Sequence, residues 1–452
     1  MNGVHKRYAL HPMTRIWSEE ERLNRWLEVE LAFLQARAEA GQLPLRAVEL
    51  IREHAKISIL RMEQIELETR HDVIAFVKAV QESLRGTEAE PYASEFHKLL
   101  TSYDTQDPAT VLQLREAIEV NHGLLHVAME RTGSVADEHK WTFMIGSTHG
   151  QYAEPTTFGH LLLVFRQAFQ RSFVRLGTIS TQELGEAKIS GAIGNYAGFD
   201  PALELRALDL LNLKPAVAET QILQRDRIAT VITALAVLLG TIEQITTTFR
   251  LMMRSNCREL EEPRGKGQRG SSRMAYKKNP IGCENLQGMS RLLRADAQCA
   301  LEDISTWEFR SIEQSCVERH ILSRSTTLTH YALSKYIDLI NGLVVRPEMM
   351  LKNLKATQDV WAANPIRDAL MEAGVPYDAA YLHLQDMGFK AADEQRHLLE
   401  LLMTKPVYDI PFGGQDMRTA KDFLGEERLR ACFDYRPYVE RGINEMFKRA
   451  GL

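Results

Sequence analysis

The sequence predicts an all-α protein built around a few long helices, and three observations carry that prediction. Residues 222–256 contain one glycine, Gly240, and no proline, and their apolar residues fall nearly all round a helical projection. Residues 284–305 and 315–345 read alike, the latter with Ile321, Leu322, Leu328, Tyr331, Leu333 and Ile337 at mixed three- and four-residue spacing. The chain holds no convincing period-two series and no alternation of strand and helix patterns.

Taken in order, residues 18–41 open with Ser18 followed by Glu19, Glu20 and Glu21, which is how a capped helix begins. Trp26, Val29, Glu30, Phe33 and Leu34 form its largely apolar stripe, and Gly41 ends it. Residues 156–179 read as a long helix carrying Leu161, Leu162, Val164, Phe165 and Phe169. Segments 347–353 and 363–369 read as helix restarts at proline, and 405–412, with Pro406 and Pro411, as a loop. The expected division is an N-terminal helical domain over 1–107, a long-helix bundle over 108–352 and a C-terminal helical domain over 353–452. Helices this long and apolar need partners, so a multi-subunit bundle is expected.

Composition narrows the function. The net charge of −5 gives no general affinity for nucleic acid or membrane surfaces. Five cysteines without a CxxC pair favour a reducing compartment over a disulfide framework or a cysteine zinc site. The N-terminus lacks the apolar core of a secretory signal, and the apolar run at 229–240 is shorter than a membrane span. A cytoplasmic protein is expected. The histidines of 120–160 fit no HExxH or paired-ligand spacing, so no metal is expected, and no P-loop pattern is present.

The most distinctive segment is 270–280, GSSRMAYKKNP. Gly265 and Gly267 lead into Gly270, its first residue, and Arg264, Lys266, Arg269, Arg273, Lys277 and Lys278 crowd the stretch with positive charge. Two adjacent serines, Ser271 and Ser272, sit on this glycine-rich cationic stretch. A loop that can open, close and carry hydroxyls suits an anionic substrate that must be shielded from water.

Five segments in order resemble one family. GSSRMAYKKNPIGCEN is similar to the GSSxMPxKxNP signature of the fumarase/aspartase superfamily, and STHGQYAEPTTFG (147–159) to its THxxxAxPTT motif. ETRHDVIAF (68–76), KRYALHPM (6–13) and TQILQRDR (220–227) resemble the adenylosuccinate lyase branch. The resemblance implies a three-domain all-α fold whose long helices join those of three other subunits in a 20-helix tetramer core. It implies β-elimination of fumarate from adenylosuccinate, and from the succinylated aminoimidazole carboxamide ribotide, in purine synthesis. It also implies no cofactor, a small-molecule substrate, and active sites each shared between three subunits.

By matching position, the resemblance makes Ser271 the base that removes the proton beside a carboxylate, and His149 the acid that protonates the leaving nitrogen. Glu284 would orient that histidine, and His71 would be a second active-site histidine flanked by Arg70 and Asp72. Lys277 and Asn279 would grip the succinyl carboxylates, with further polar contacts from Thr148, Gln221, Thr101 and Ser102. Arg7, Tyr8, Arg310, Ser315 and Arg319 would hold a phosphate, for which guanidinium forks are suited.

The pattern is broken at several places. Ala275 stands where the family usually has proline, and Ser147 where the branch commonly has arginine. Ser311 and Gln314 replace an acid and a His or Asp, while Tyr103 replaces a small hydroxyl residue and Leu99 a glycine. These departures keep two other readings open: a paralogue releasing fumarate from a different N-substituted aspartate, and a non-catalytic structural protein on the same scaffold.

Overall fold

The computed structural model describes residues 4–267, 271, 273–407 and 417–452. Gly270, Arg269, Ser272, Pro411 and Phe412, which featured in the sequence reading, lie outside them. Helices dominate, as the periodicity predicts; the strands among the described residues form three two-stranded sheets.

The helices that matter for the site are α1 (Glu19–Glu39), α2 (Ile59–Thr69), α3 (Asp72–Ser83), α4 (Ser102–Glu138), α5 (Phe158–Gln182), α6 (Asp226–Met252), α7 (Ile281–Glu302) and α8 (Glu313–Asn341). α1 begins where the sequence says: the Ser18 hydroxyl accepts the Glu21 N–H at 3.1 Å, with three glutamates in the first turn. α6 contains no proline, as expected for an uninterrupted helix of 27 residues.

Backbone contacts divide the chain into two compact units, one comprising 1–128, 169–246 and 282–338, the other 129–168, 247–281 and 339–452. The long helices α4, α5, α6 and α8 each run from one into the other.

In the first unit the helices are tied by polar bonds set into an apolar core. Asn121 of α4 donates to the Thr326 carbonyl of α8 at 3.1 Å, and Ser290 of α7 donates to the Leu239 carbonyl of α6 at 2.7 Å. Asp296 of α7 accepts from Ser325 of α8 at 2.8 Å and pairs with Arg324. Phe169 of α5 meets the ring of Tyr336 edge-on at 5.1 Å. α6 was expected to be buried on all sides; one chain buries Val231, Ile232, Leu235, Leu238, Leu239, Ile242 and Ile245 but leaves Val237 and Leu251 half exposed. By length and composition this helix is apolar enough to cross a membrane, and half of its most apolar window is packed inside the chain.

The first turns of α4 organise the loops around them. Asp104, fully buried, accepts the N–H groups of Thr101, Ser190 and Gly191 and pairs with the buried Lys188 ammonium at 2.7 Å. Asp107, one turn on, accepts the Leu223 N–H at 2.7 Å and both terminal nitrogens of Arg225.

The second unit packs helices around Leu354, Trp361, Ile366, Leu370, Leu384 and Leu401. An antiparallel hairpin, β1 (Phe143–Thr148) and β2 (Gln151–Thr157), stands against them. Phe143 packs on Tyr435 at 4.8 Å, and Glu154 accepts from Asn364 at 2.8 Å and Tyr438 at 2.9 Å. The sequence reading, which found no strand series, missed this hairpin.

Removing one partner of a buried ion pair strands the other charge. Lys188→Met leaves Asp104 uncompensated and should destabilise the protein by about 3–5 kcal/mol, read as a lowered midpoint of urea unfolding followed by circular dichroism. An unchanged midpoint would mean that the pair does not anchor the 188–191 loop.

Candidate active site

Most of the expected binding residues belong to the first unit, where they form a connected group. Arg70 ends α2 in a left-handed conformation (φ 52°), which turns the chain so that His71 caps α3, its Nδ1 accepting the Ile74 N–H at 3.4 Å. The other ring nitrogen, Nε2, lies 3.3 Å from the Ser102 hydroxyl at the start of α4. Asp72, in the first turn of α3, receives Arg319 of α8 at 2.6 Å. His71, Asp72, Ser102 and Arg319 are thus brought together by three helices.

A second branch grows from Tyr103. Its ring is 3% exposed, and the Arg310 guanidinium lies over it, 4.4 Å from the centroid. Arg310 also donates to the Gln221 side-chain carbonyl at 2.8 Å. Gln221 is held in turn, its amide donating to the Ala192 carbonyl at 2.8 Å. This contact needs Gly194: at φ 77° a Cβ there would come within 2.1 Å of the Glu219 carbonyl oxygen, so only glycine lets the two loops lie this close.

Tyr103, Ser315 and Arg319 line a cleft of about 320 Å³ together with Asp107, Arg225 and Glu318. The last three are an ion cluster that the sequence reading missed. Arg225 is buried between Asp107, at 3.0 Å, and Glu318, at 2.8 Å. Burial works against the Arg225 charge, but the two carboxylates outweigh it and hold its pKa above the usual value. One guanidinium does not satisfy both acids: burial pushes the Glu318 carboxyl up to about 7 even beside Arg225. Gln314, at a departure from the family pattern, is buried with no partner for its amide among the described residues.

Arg7 and Tyr8 are not brought to this group. Tyr8 packs edge-on against Tyr331 at 5.0 Å, twelve residues beyond Arg319 and so about 18 Å further along α8. Arg7 is exposed on the turn before it.

The second unit carries the expected chemistry. Thr148 and Gln151 close the hairpin, and the turn between them is His149 and Gly150, both at positive φ (54° and 77°). This two-residue turn has the backbone signs that match strand twist, and it presents His149 exposed at the tip. Ser271 is half-buried in the cationic loop, and its Oγ accepts the N–H groups of Met274 at 3.1 Å and Arg273 at 3.4 Å. Two N–H donors on one oxygen favour its anionic form. Lys277 is exposed, its N–H bonded to the Met274 carbonyl, while the neighbouring Lys278 is paired with Glu261 at 2.5 Å. Asn279 uses its backbone carbonyl to receive Ile281 at the start of α7. Glu284 lies in the first turn of α7, within the first unit. Among the described residues no cluster of three metal-ligating side chains occurs.

The serine loop, the histidine turn and the arginine-bearing cleft are the features that the motifs pointed to. Residues 6–293 match the family described as Lyase, and the chain belongs to it. It is similar to the adenylosuccinate lyase of Thermotoga maritima, 36% identical over 98% of this chain and 99% of that one. It is similar to the adenylosuccinate lyase of Bacillus subtilis, 37% identical over 99% of each. The fold matches a solved fumarate lyase from Mesorhizobium sp. BNC1 with a TM-score of 0.87, at 24% identity over 99% of both chains. The chain is an enzyme of the lyase class.

The Glu318 environment has a pH signature. Its folded-state pKa lies above the ordinary carboxylate value, so the folded protein binds more protons than the unfolded one between about pH 4.5 and about pH 7. Its contribution to stability is therefore full below that window and lost as pH rises through it. Glu318→Gln removes this component, so its Tm should fall less than the parent's between about pH 5 and about pH 7. Parallel Tm curves for the two proteins would show that Glu318 does not titrate there.

Proposed function

We propose that this lyase eliminates fumarate from adenylosuccinate to give AMP, and from the succinylated aminoimidazole carboxamide ribotide, in purine nucleotide synthesis. The observation that carries the reading is full-length similarity at 36–37% identity to two adenylosuccinate lyases, with the serine loop and the histidine turn retained.

In this reading Ser271 acts as the base. As alkoxide it removes a proton from the carbon beside a succinyl carboxylate, and the Met274 and Arg273 N–H groups on its oxygen favour the charged form. The electron pair left behind gives an aci-carboxylate, stabilised by Lys277 and Asn279. It then collapses to the double bond of fumarate as the C–N bond breaks, and His149 gives its proton to the departing nitrogen. Glu284 orients His149. His71 with Arg70 and Asp72, and Thr101, Ser102, Thr148 and Gln221, position the succinyl end. Arg310, Ser315 and Arg319 take the phosphate with Arg7 and Tyr8. None of these steps calls for a cofactor.

The enzyme acts as a cytoplasmic homotetramer in this account, with each site drawing on three subunits and each chain divided near 107 and 352. Two observations support the shared assembly. One chain leaves Val237 and Leu251 of α6 half exposed, and Tyr8 packs on Tyr331, far from Arg319 along α8. The second reading, a related lyase acting on another N-substituted aspartate, draws on one observation: the buried Tyr103 ring beneath Arg310, where the family has a small side chain.

Incubation with adenylosuccinate, with AMP and fumarate followed by chromatography, tests the proposal. Turnover is expected, reduced roughly 10²–10⁴-fold by Ser271→Ala or by His149→Ala. No fumarate from a folded preparation would sink the substrate assignment. Mixing the two inactive variants should restore part of the activity through shared sites. No recovery after demonstrated subunit exchange would contradict the shared-site account.

A further inference from the structure

Arg22, Arg225 and Arg319 all line the cleft beside the start of α4, and they are committed to different degrees. Arg225 is spent: Asp107 takes its two terminal nitrogens and Glu318 takes Nε at 2.8 Å. Arg319 gives one nitrogen, Nη2, to Asp72 at 2.6 Å, and its side chain is 55% exposed. A guanidinium has five N–H donors, so this bond leaves most of them for a ligand. Arg22 belongs to none of the motif segments, and its geometry sets it beside Arg319.

Arg22 stands in the first turn of α1, with Glu19 three residues before it and Trp26 four after, so all three share one helix face. Its Nε donates to Glu19 at 3.1 Å, and Nη2 pairs with the same carboxylate. The flat of the guanidinium lies over the Trp26 ring, 4.4 Å from the centroid. Trp26 is buried and meets Phe76 of α3 edge-on at 5.4 Å, and α3 begins with Asp72. This packing brings Arg22 Nη1 to 4.0 Å from Asp72 Oδ2, the oxygen that receives Arg319. That separation is too long for a hydrogen bond, so Asp72 does not occupy Nη1.

Two guanidiniums therefore flank one carboxylate oxygen on the cleft wall. Their facing nitrogens are near enough for the oxygens of a single phosphate to touch both. Glu19 and Asp72 offset the mutual repulsion of the two cations and fix their edges, which lowers the entropic cost of gripping an anion. We propose that Arg22 is a further substrate-binding residue: with Arg319 it forms a guanidinium pair that grips one phosphate monoester. This rests on the phosphate role given above to Arg319.

Calorimetric titration of the enzyme with AMP tests the assignment. Arg22→Gln should bind AMP about tenfold more weakly, the scale of one hydrogen bond to a charged group. Arg22→Lys keeps the charge but loses the fork on Glu19 and the flat face on Trp26, so it should recover part of that loss. Unchanged affinity in Arg22→Gln overturns the proposal. Equal losses in the two variants would assign the effect to lost packing and also overturn it.

An Asp72→Asn background separates direct contact from bracing of Arg319. There Arg22→Gln should still weaken AMP binding about tenfold. Disappearance of its effect would make Arg22 a support for Arg319 alone and contradict the pair. A parent that binds AMP but releases no fumarate from adenylosuccinate loses the proposed reaction, and the variants still decide the site. A parent that binds no AMP overturns the phosphate role of Arg319 and the pair with it.

Discussion

The first two turns of α4 carry the constraint on which the expected binding residues of the first unit depend. Asp104 and Asp107 are both buried there, one turn apart. An ionised carboxylate taken out of water is tolerated only with close opposite charge and several donors. Asp104 meets that demand with Lys188 and three backbone N–H groups, Asp107 with Arg225 and the Leu223 N–H. The two acids therefore pull the 188–191 loop and the 221–225 segment onto the helix start. Thr101, Ser102 and Tyr103 precede the acids directly, and Gln221 precedes their partner Arg225. The expected binding residues are set by the same contacts that satisfy the buried charges.

The expected site residues of the two units are held in physically different ways. In the first, the expected binding side chains are braced: His71 by its cap to Ile74, Arg319 by Asp72, and Arg310 by Tyr103 and Gln221. In the second, the expected proton-transfer groups are on turns. His149 stands at a hairpin tip whose base is tied down by Phe143 and Glu154, while Ser271 lies in a loop whose own amides face its oxygen. Rigid binding groups with presented acid and base groups suit a reaction in which the substrate must be covered before the proton moves.

Much of the fold was legible in the sequence, for reasons that can be named. The Ser18 cap, the proline-free run of α6 and the spacing in α8 are local signals, and local hydrogen bonding obeys them. The β1–β2 hairpin was not legible. Phe143, Met144 and Ile145 are consecutive apolar residues, and the register shifts between Ile145 and Ser147, so no period-two pattern survives. The site was legible as a set of motif residues, but not in its bracing. Lys188, Asp104, Asp107, Arg225 and Glu318 look like ordinary surface charges in the chain, and only tertiary packing makes them a buried lattice. Tyr103 could be recognised as out of pattern, but its stacking on Arg310 joins distant parts of the sequence.

The central claim is that the cleft beside the start of α4 receives the phosphate of a succinylated nucleotide, and a crystal structure with AMP and fumarate tests it most directly. The account predicts phosphate density near Arg310, Ser315 and Arg319, and fumarate carboxylates at Lys277 and Asn279. A nucleotide bound with its phosphate away from Arg310 and Ser315, in a tetramer that is active on adenylosuccinate, would contradict it.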